Sequence, residues 1–184
     1  MKNESTPTPK NKMSLYDQTA RIYDQRYREI QEEKYSAMLS KIAFKKRDLI
    51  LDAGCGTGML LQKFSSKHRV VGVDFSKEMI RIAKSKVRDS DLIQADLNNL
   101  PFKDKTFSKV FGVTILQNVE HPQITVREIK RTLEKKGLAV LSTLKKKATK
   151  KEIFELIENN GLKEKEVYEV SEDIVIVAFR DEKP

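Results

Sequence analysis

The sequence predicts an α/β fold in which a mostly parallel sheet carries helices on both faces and finishes in an antiparallel pair. Two observations carry that prediction. From residue 49 onward, short β-branched runs alternate with longer stretches of helical spacing, the pattern that lays crossover helices on a parallel sheet. The last two strand-like runs, Leu162 to Glu169 and Asp173 to Phe179, have only a few residues between them, enough for a hairpin and too few for a crossover helix.

In chain order, residues 1–13 hold Thr-Pro repeats, lysines and asparagines with little to bury, so a disordered tail is expected. A single domain follows over 14–184, with a helical cap at 14–46 and the core at 47–180. In the cap, Leu15, Ile22, Tyr23, Ile30, Met38, Leu39 and Ile42 recur at rough helical spacing without glycine or proline, which predicts one broken helix or two consecutive ones. Strands are expected at Leu49 to Ala53, Val70 to Asp74, Leu92 to Ala95, Lys109 to Thr114 and Leu138 to Leu144, then the closing pair. Helices are expected between them at 58–66, 77–87, 122–133 and 149–160.

A chain of 184 residues suits one domain. Lys and Arg outnumber Asp and Glu by 36 to 27, a formal charge of +9 that favours polyanions or anionic membranes as partners. A single cysteine, Cys55, excludes an intramolecular disulfide and a Cys-rich zinc site, and no metal site is expected. That cysteine usage, with no signal-like apolar stretch and no run approaching the roughly 18 apolar residues of a membrane span, leads to the expectation of a soluble, cytoplasmic protein.

The most informative segment is the glycine loop. Gly54, Gly56 and Gly58 stand where the first strand ends and a helix is expected to begin, the place where open α/β sheets bind ligands and where unpaired N–H groups attract anions. A dinucleotide fingerprint would need glycine three residues after Gly56, and Met59 stands there. Asp52, just before the loop, would repel a pyrophosphate. A zwitterion with a cationic centre for Asp52 and a carboxylate for the helix N-terminus would gain from the same arrangement.

The segment Leu51-Asp-Ala-Gly-Cys-Gly-Thr-Gly58 resembles, at every position, the first motif of class I S-adenosylmethionine-dependent methyltransferases. The resemblance extends over about residues 15 to 180 and looks similar to the ubiquinone and menaquinone type. It implies a Rossmann-like three-layer sandwich: a mostly parallel seven-stranded sheet in the order 3-2-1-4-5-7-6 with an antiparallel last strand and an N-terminal helical cap. It also implies S-adenosyl-L-methionine as cofactor, with S-adenosyl-L-homocysteine as product, and a site built from Asp52, Gly54, Cys55, Gly56 and Gly58. Val70-Val-Gly-Val-Asp74-Phe-Ser76 resembles the second strand, so Asp74 would accept hydrogen bonds from the ribose hydroxyls and Phe75 would pack on adenine. The alternative for Asp74 is a helix N-cap, a task Ser76 suits better. Leu92 to Phe102 resembles the third-strand region, which gives Asp96 and the Leu97 backbone to the adenine edge. Phe107 to Pro122 resembles the fourth strand and its loop, on the substrate side, where Thr114 and Asn118 are assigned to the cofactor. Lys109 departs from the acid often found there, near the start of the strand and away from the chemistry. Tyr23, in a segment resembling the family's cap, either reaches over the cofactor or packs the cap onto the sheet.

Methyl transfer from a sulfonium is an in-line displacement whose activated group the cofactor brings, so a dedicated acid or base is optional. His121 is the candidate if one exists, against a role as a loop or helix-entry residue. Gln117 and Asn118 either orient a substrate or stand exposed. No Asn-Pro-Pro-Tyr-like segment follows the fourth strand, and Cys55 is committed to the loop, which argues against amide or exocyclic-amine methylation and against covalent attack on a pyrimidine. Lysines and arginines before the strands, including Lys130 and Arg131, belong on the face away from the site and read as solvated surface. Lys145 to Lys151, after the fifth strand, is left near the site as the RNA-contacting candidate, together with Lys103, Lys105 and the cap residues Arg21, Arg26 and Arg28. Only about four residues join that strand to the next helix, so the site should be open. An RNA or RNA-associated protein acceptor, or completion by a protein partner, is favoured over a small metabolite, with a cofactor-binding subunit lacking turnover as a further alternative.

Overall fold

The computed structural model describes residues 9–64 and 67–181. Its elements in chain order are α1 (Pro9–Ser40), β1 (Leu49–Ala53), a single 3-10 turn (Leu61–Lys63), β2 (Arg69–Asp74), α2 (Lys77–Lys86), β3 (Asp91–Gln94), β4 (Phe107–Gly112), α3 (Pro122–Thr132), β5 (Leu133–Leu144), α4 (Lys150–Asn159), β6 (Leu162–Val170) and β7 (Asp173–Arg180). The strands join one sheet in the order β3-β2-β1-β4-β5-β7-β6. Pairing is parallel from β3 through β5, and β7 lies antiparallel between β5 and β6. This is the architecture expected from the sequence.

The strands are nearly continuous in apolar residues because both faces of the sheet are covered. The two-residue period of a strand sorts them. Leu51, Val73, Leu141 and Ile176 face Val126 and Ile129 of α3 and Ile153 and Ile157 of α4. Ile50, Val70, Val140 and Val175 point the other way, against Tyr35 and Met38 of α1 and Ile80 of α2. Each such buried Leu, Ile or Val contributes about 1.5–3 kcal/mol relative to exposure.

Three departures have physical reasons. The expected helix at 58–66 shrinks to the 3-10 turn, because Met59, Leu60, Leu61 and Phe64 are all buried. Three consecutive residues span most of a helix circumference, so no single helical stripe could bury them. The cap is one unbroken helix of 32 residues, since no glycine or proline follows Pro9 within it. It includes residues 9–13 of the expected tail, and residues 1–8 lie outside the described residues. Finally, β5 begins at Leu133 rather than Leu138 and pairs Leu133 with Phe107, before a register shift between Phe107 and Lys109.

α1 bridges the carboxyl edge of the sheet. Asp24 meets Thr57, just beyond β1, and Lys34 meets Asp173, the first residue of β7. Ten helical residues rise about 15 Å, and the three strand spacings from β1 to β7 cover about 14 Å, so one straight helix spans the gap. At the opposite edge Lys109 is buried and pairs with Asp48, far from the glycine loop. No helix among the described residues is long and apolar enough to cross a membrane.

Gly72, in the middle of β2, is a point of close approach in the core. A Cβ there would stand 2.7 Å from Leu92 Cδ2, 2.8 Å from Leu61 Cδ1 and 3.0 Å from Cys55 Sγ. Gly72→Ala is expected to destabilise the fold by about 1–3 kcal/mol through overpacking. Urea denaturation checks this, and an unchanged midpoint would contradict the packing described.

Candidate functional site

The chain leaves β1 in a turn fastened to its neighbour. The N–H groups of Gly54 and Cys55 both donate to the Val73 carbonyl, at 2.7 and 2.9 Å, and Gly58 N–H donates to the Cys55 carbonyl at 2.9 Å. Gly54, Gly56 and Gly58 have φ of 78°, 52° and 82°. A Cβ on Gly54 would strike Ile115 and one on Gly58 would press on Ala83 of α2, whereas one on Gly56 would meet nothing within 4 Å. Gly56 therefore owes its identity to its left-handed backbone, beside open space at the end of β1.

Two carboxylates sit behind this loop. Asp74, at the end of β2, accepts the N–H of Gly56 on Oδ2 and that of Ser76 on Oδ1, both at 2.9 Å. Ser76 caps α2 by accepting Met79 N–H at 3.1 Å, so Asp74 is not the cap. Asp52 is 2% exposed, and its Oδ2 has no hydrogen-bond partner among the described residues. Burial, and then repulsion from Asp74, push its pKa up to about 8. Burial chiefly, followed by the same two acids, raises the Cys55 thiol well above its ordinary range and makes it a poor nucleophile.

The cap helix closes over these acids. Tyr35 is buried in the cluster that holds Ile50 and Cys55, on either side of Asp52 in the chain, and its hydroxyl pKa is raised first by burial and then by the charge of Asp52. Gln31 is 6% exposed, and its Oε1 lacks a donor among the described residues. Two buried acceptor oxygens without donors suit a ligand carrying N–H groups and positive charge. Tyr23 is half-buried, with its ring 4.9 Å from that of Tyr27 and its hydroxyl 3.5 Å from Gln31 Nε2. Asp24 accepts Thr57 Oγ1–H and pairs with Lys86 of α2, tying α1 to the glycine loop.

At the other end of the cap, Lys34 is 2% exposed. Its Nζ donates to Thr114 Oγ1 at 2.7 Å and to Asp173 Oδ1 at 2.9 Å. Asp173, fully buried, accepts Thr114 Oγ1–H at 2.7 Å and Ser142 Oγ–H at 2.6 Å on its other oxygen. Thr114 N–H donates to Ser142 Oγ at 2.6 Å. These bonds hold Thr114 at φ 57°, and its carbonyl in turn receives the side-chain amides of Gln117 and Asn118 at 2.7 and 3.0 Å. The loop after β4 is thus arranged by a charged group from the cap.

The remaining expected residues lie along the same carboxyl edge, with differing exposure. Phe75 is half-buried, and its carbonyl accepts Gln94 Nε2–H at 3.0 Å. Asp96 is exposed and accepts Asn98 N–H at 2.9 Å, and Leu97 is buried. His121 is exposed at the N-cap of α3, and its side chain makes no capping bond. Sequence reasoning missed Asp24, Gln31, Lys34, Tyr35, Ser142 and Asp173. A signal for part of this set exists: positions 31, 34, 35 and 38 form one helical stripe.

Comparison with known proteins adds the following. A family model described as a methyltransferase domain matches residues 51–141. The demethylmenaquinone methyltransferase of Thermotoga maritima is 28% identical over 151 residues, covering 78% of this chain and 66% of that protein. A malonyl-[acyl-carrier protein] O-methyltransferase of Hamiltonella defensa is 30% identical over 132 residues, covering 71% and 51%. The chain spans about half to two thirds of the length of the curated relatives it matches. Among solved structures, the [4+2]-cyclase SpnF superposes with a TM-score of 0.87 at 14% identity, covering 96% of this chain and 98% of that one. A complex of the Haloferax volcanii Trm112 methyltransferase activator superposes at 0.85 with 16% identity, covering 94% and 98%. These structural likenesses bear on the fold.

Removing one partner of a buried ion pair leaves the other uncompensated, at a cost of about 3–5 kcal/mol. Lys34→Met should cost about that much in urea denaturation. Lys34→Met combined with Asp173→Asn, which keeps an acceptor for the two hydroxyls and removes the charge, should recover most of it. A loss below about 1 kcal/mol for the single variant would show that the pair is not buried as described.

Proposed function

We propose that this chain, which belongs to the class I S-adenosylmethionine-dependent methyltransferase family, transfers a methyl group to a nucleophilic acceptor held between the carboxyl edge of its sheet and α1. The observation that carries the reading is Asp52: a buried carboxylate with an unpartnered oxygen, next to a glycine loop that opens on empty space. When bound, S-adenosylmethionine supplies a methyl group on a positively charged sulfur, activated for displacement. The work of the chain is to orient and to exclude water.

Asp52 Oδ2 would accept from the ammonium of the cofactor. Asp74, held at the end of β2 by the N–H groups of Gly56 and Ser76, would accept from the two ribose hydroxyls. Phe75 would pack on adenine, with Asp96 and the Leu97 N–H at its edge. Gly54, Cys55, Gly56 and Gly58 form the loop under the amino-acid end of the cofactor. Thr114 and Asn118, fixed by the Lys34 network, border the acceptor side, and Tyr23 of α1 shields it. Transfer needs no dedicated base, and the exposed His121 is not assigned one.

An RNA or an RNA-associated protein is the acceptor class favoured by the charge of +9 and by the short link of residues 145–149 between β5 and α4, which leaves α1 as the main cover. The lysine cluster after β5 contributes less than its sequence suggests. Lys145 and Lys150 share Glu169, at 3.2 and 2.8 Å, and Lys151 faces Glu155 at 3.7 Å. The names of the curated relatives support a small or carrier-bound acceptor as the second reading. The likeness to a protein solved with the Trm112 activator supports a partner subunit. Since a [4+2]-cyclase shares the fold, transfer itself must be measured.

Calorimetric titration with S-adenosylmethionine, followed by transfer of labelled methyl to total RNA and to a metabolite extract, separates these readings. No cofactor binding would overturn the family's chemistry for this chain. Binding without transfer to either fraction would mark a subunit without turnover. Positive charge brought to Asp52 lowers its pKa and releases a proton, so affinity should rise as pH climbs towards about 8 and level off above it. The rise is at most tenfold per pH unit for one proton. Asp52→Asn shares the ligand's own titration but lacks this component, so identical profiles for wild type and variant would count against the role given to Asp52.

A further inference from the structure

At the amino edge of the sheet, where α3 ends against the start of β6 and the end of β7, lies a cleft of about 480 Å³ lined by Arg127, Lys130, Arg131, Asn160, Gly161 and Arg180. These residues are far apart in sequence, and the fold brings four cations to one concavity. Arg131 is consumed by Glu128, Asp104 and the carbonyls of Leu100 and Phe102. The other three differ. Arg180 spends one nitrogen on the carbonyls of Lys130, Arg131 and Leu133, at 2.9, 3.0 and 2.7 Å. Arg127 spends its Nε on Asn160 Oδ1 at 2.8 Å. Lys130 Nζ lies over Gly161, within 2.3 Å of where a Cβ there would stand. No carboxylate among the described residues forms a salt bridge with Arg127, Lys130 or Arg180.

Guanidinium groups anchored by one nitrogen, with other N–H groups lacking an acceptor among the described residues, are arranged for phosphate oxygens. Positive charge also continues beyond the cleft. Lys105 N–H donates to the Arg131 carbonyl, which sets this exposed lysine beside it, and exposed Lys135 follows closely on Leu133. A single small phosphate could not reach all of these charges, and a strand could. The contrast with the carboxyl edge, where glutamates take up Lys145, Lys150 and Lys151, points the same way.

We infer that this cleft docks the phosphate backbone of a nucleic acid strand. The docking stands apart from the acceptor proposed above, because binding is read without turnover. The test is fluorescence anisotropy of a labelled single-stranded oligouridylate against the full chain, at several salt concentrations. Arg127→Glu with Lys130→Glu should weaken binding at least tenfold and reduce the salt slope by about 1.4, at roughly 0.7 for each single-strand phosphate contact. Lys145→Glu with Lys147→Glu should weaken it less than threefold. Both double variants should bind S-adenosyl-L-homocysteine as the wild type does, which verifies folding. Loss of less than threefold in the cleft variant, an equal loss in both variants, or competition by polyglutamate as effective as that by unlabelled oligouridylate would each overturn the proposal. Binding through the cleft with no methylation of RNA would uphold the docking and remove only the RNA acceptor.

Discussion

The buried contact between Lys34 and Asp173 constrains the rest of the site. An ammonium and a carboxylate taken out of water cost several kcal/mol each, and the fold tolerates them because they face each other and because Thr114 and Ser142 supply further hydrogen bonds. Satisfying those charges fixes the angle of α1 over the sheet. It also holds Thr114 in a backbone conformation a β-branched residue seldom adopts. Through the Thr114 carbonyl the arrangement extends to Gln117 and Asn118. A polar device in the cap thereby shapes a loop on the far side of the cofactor position.

Charge is partitioned along the strand direction of the sheet. The carboxyl edge conceals two acids, Asp52 and Asp74, and burial together with the charge of Asp74 disfavours ionisation of Asp52, which suits a positively charged ligand. The amino edge gathers cations whose local acids are already engaged by Arg131. The parallel strands make this separation possible, because each delivers its beginning to one edge and its end to the other, while β7 runs the opposite way.

Much of the architecture was legible because it follows from short-range rules. Apolar runs of strand length, the Thr149 to Glu152 capping box ahead of α4 and the tight link into β7 are all local signals. The glycine loop was legible for the same reason. What escaped was pairing at a distance. Lys34 stands in a charged run, Glu32-Glu33-Lys34, that reads as an ordinary solvated helix face, and its partner lies 139 residues away. Arg180 and Lys130 are likewise 50 residues apart, so the cleft has no local signature. The helix expected at 58–66 between the first two strands failed for a different reason: its consecutive apolar residues Met59, Leu60 and Leu61 are all drawn into the core.

The position of β7 carries a consequence for the birth of the molecule. Asp173 reaches the carboxyl edge only when its strand has slotted between β5 and β6, two neighbours already far along the chain. A ribosome delivers α1 before any strand of this sheet and β7 after the other six. Throughout synthesis, then, the ammonium of Lys34 must stay in water, and this end of the cap must stay unlatched, until the closing hairpin arrives. A helix made before the sheet is thus fully secured only when its last strand is in place, and a chain interrupted before β7 would leave the Thr114 side of the ligand-binding edge unfastened.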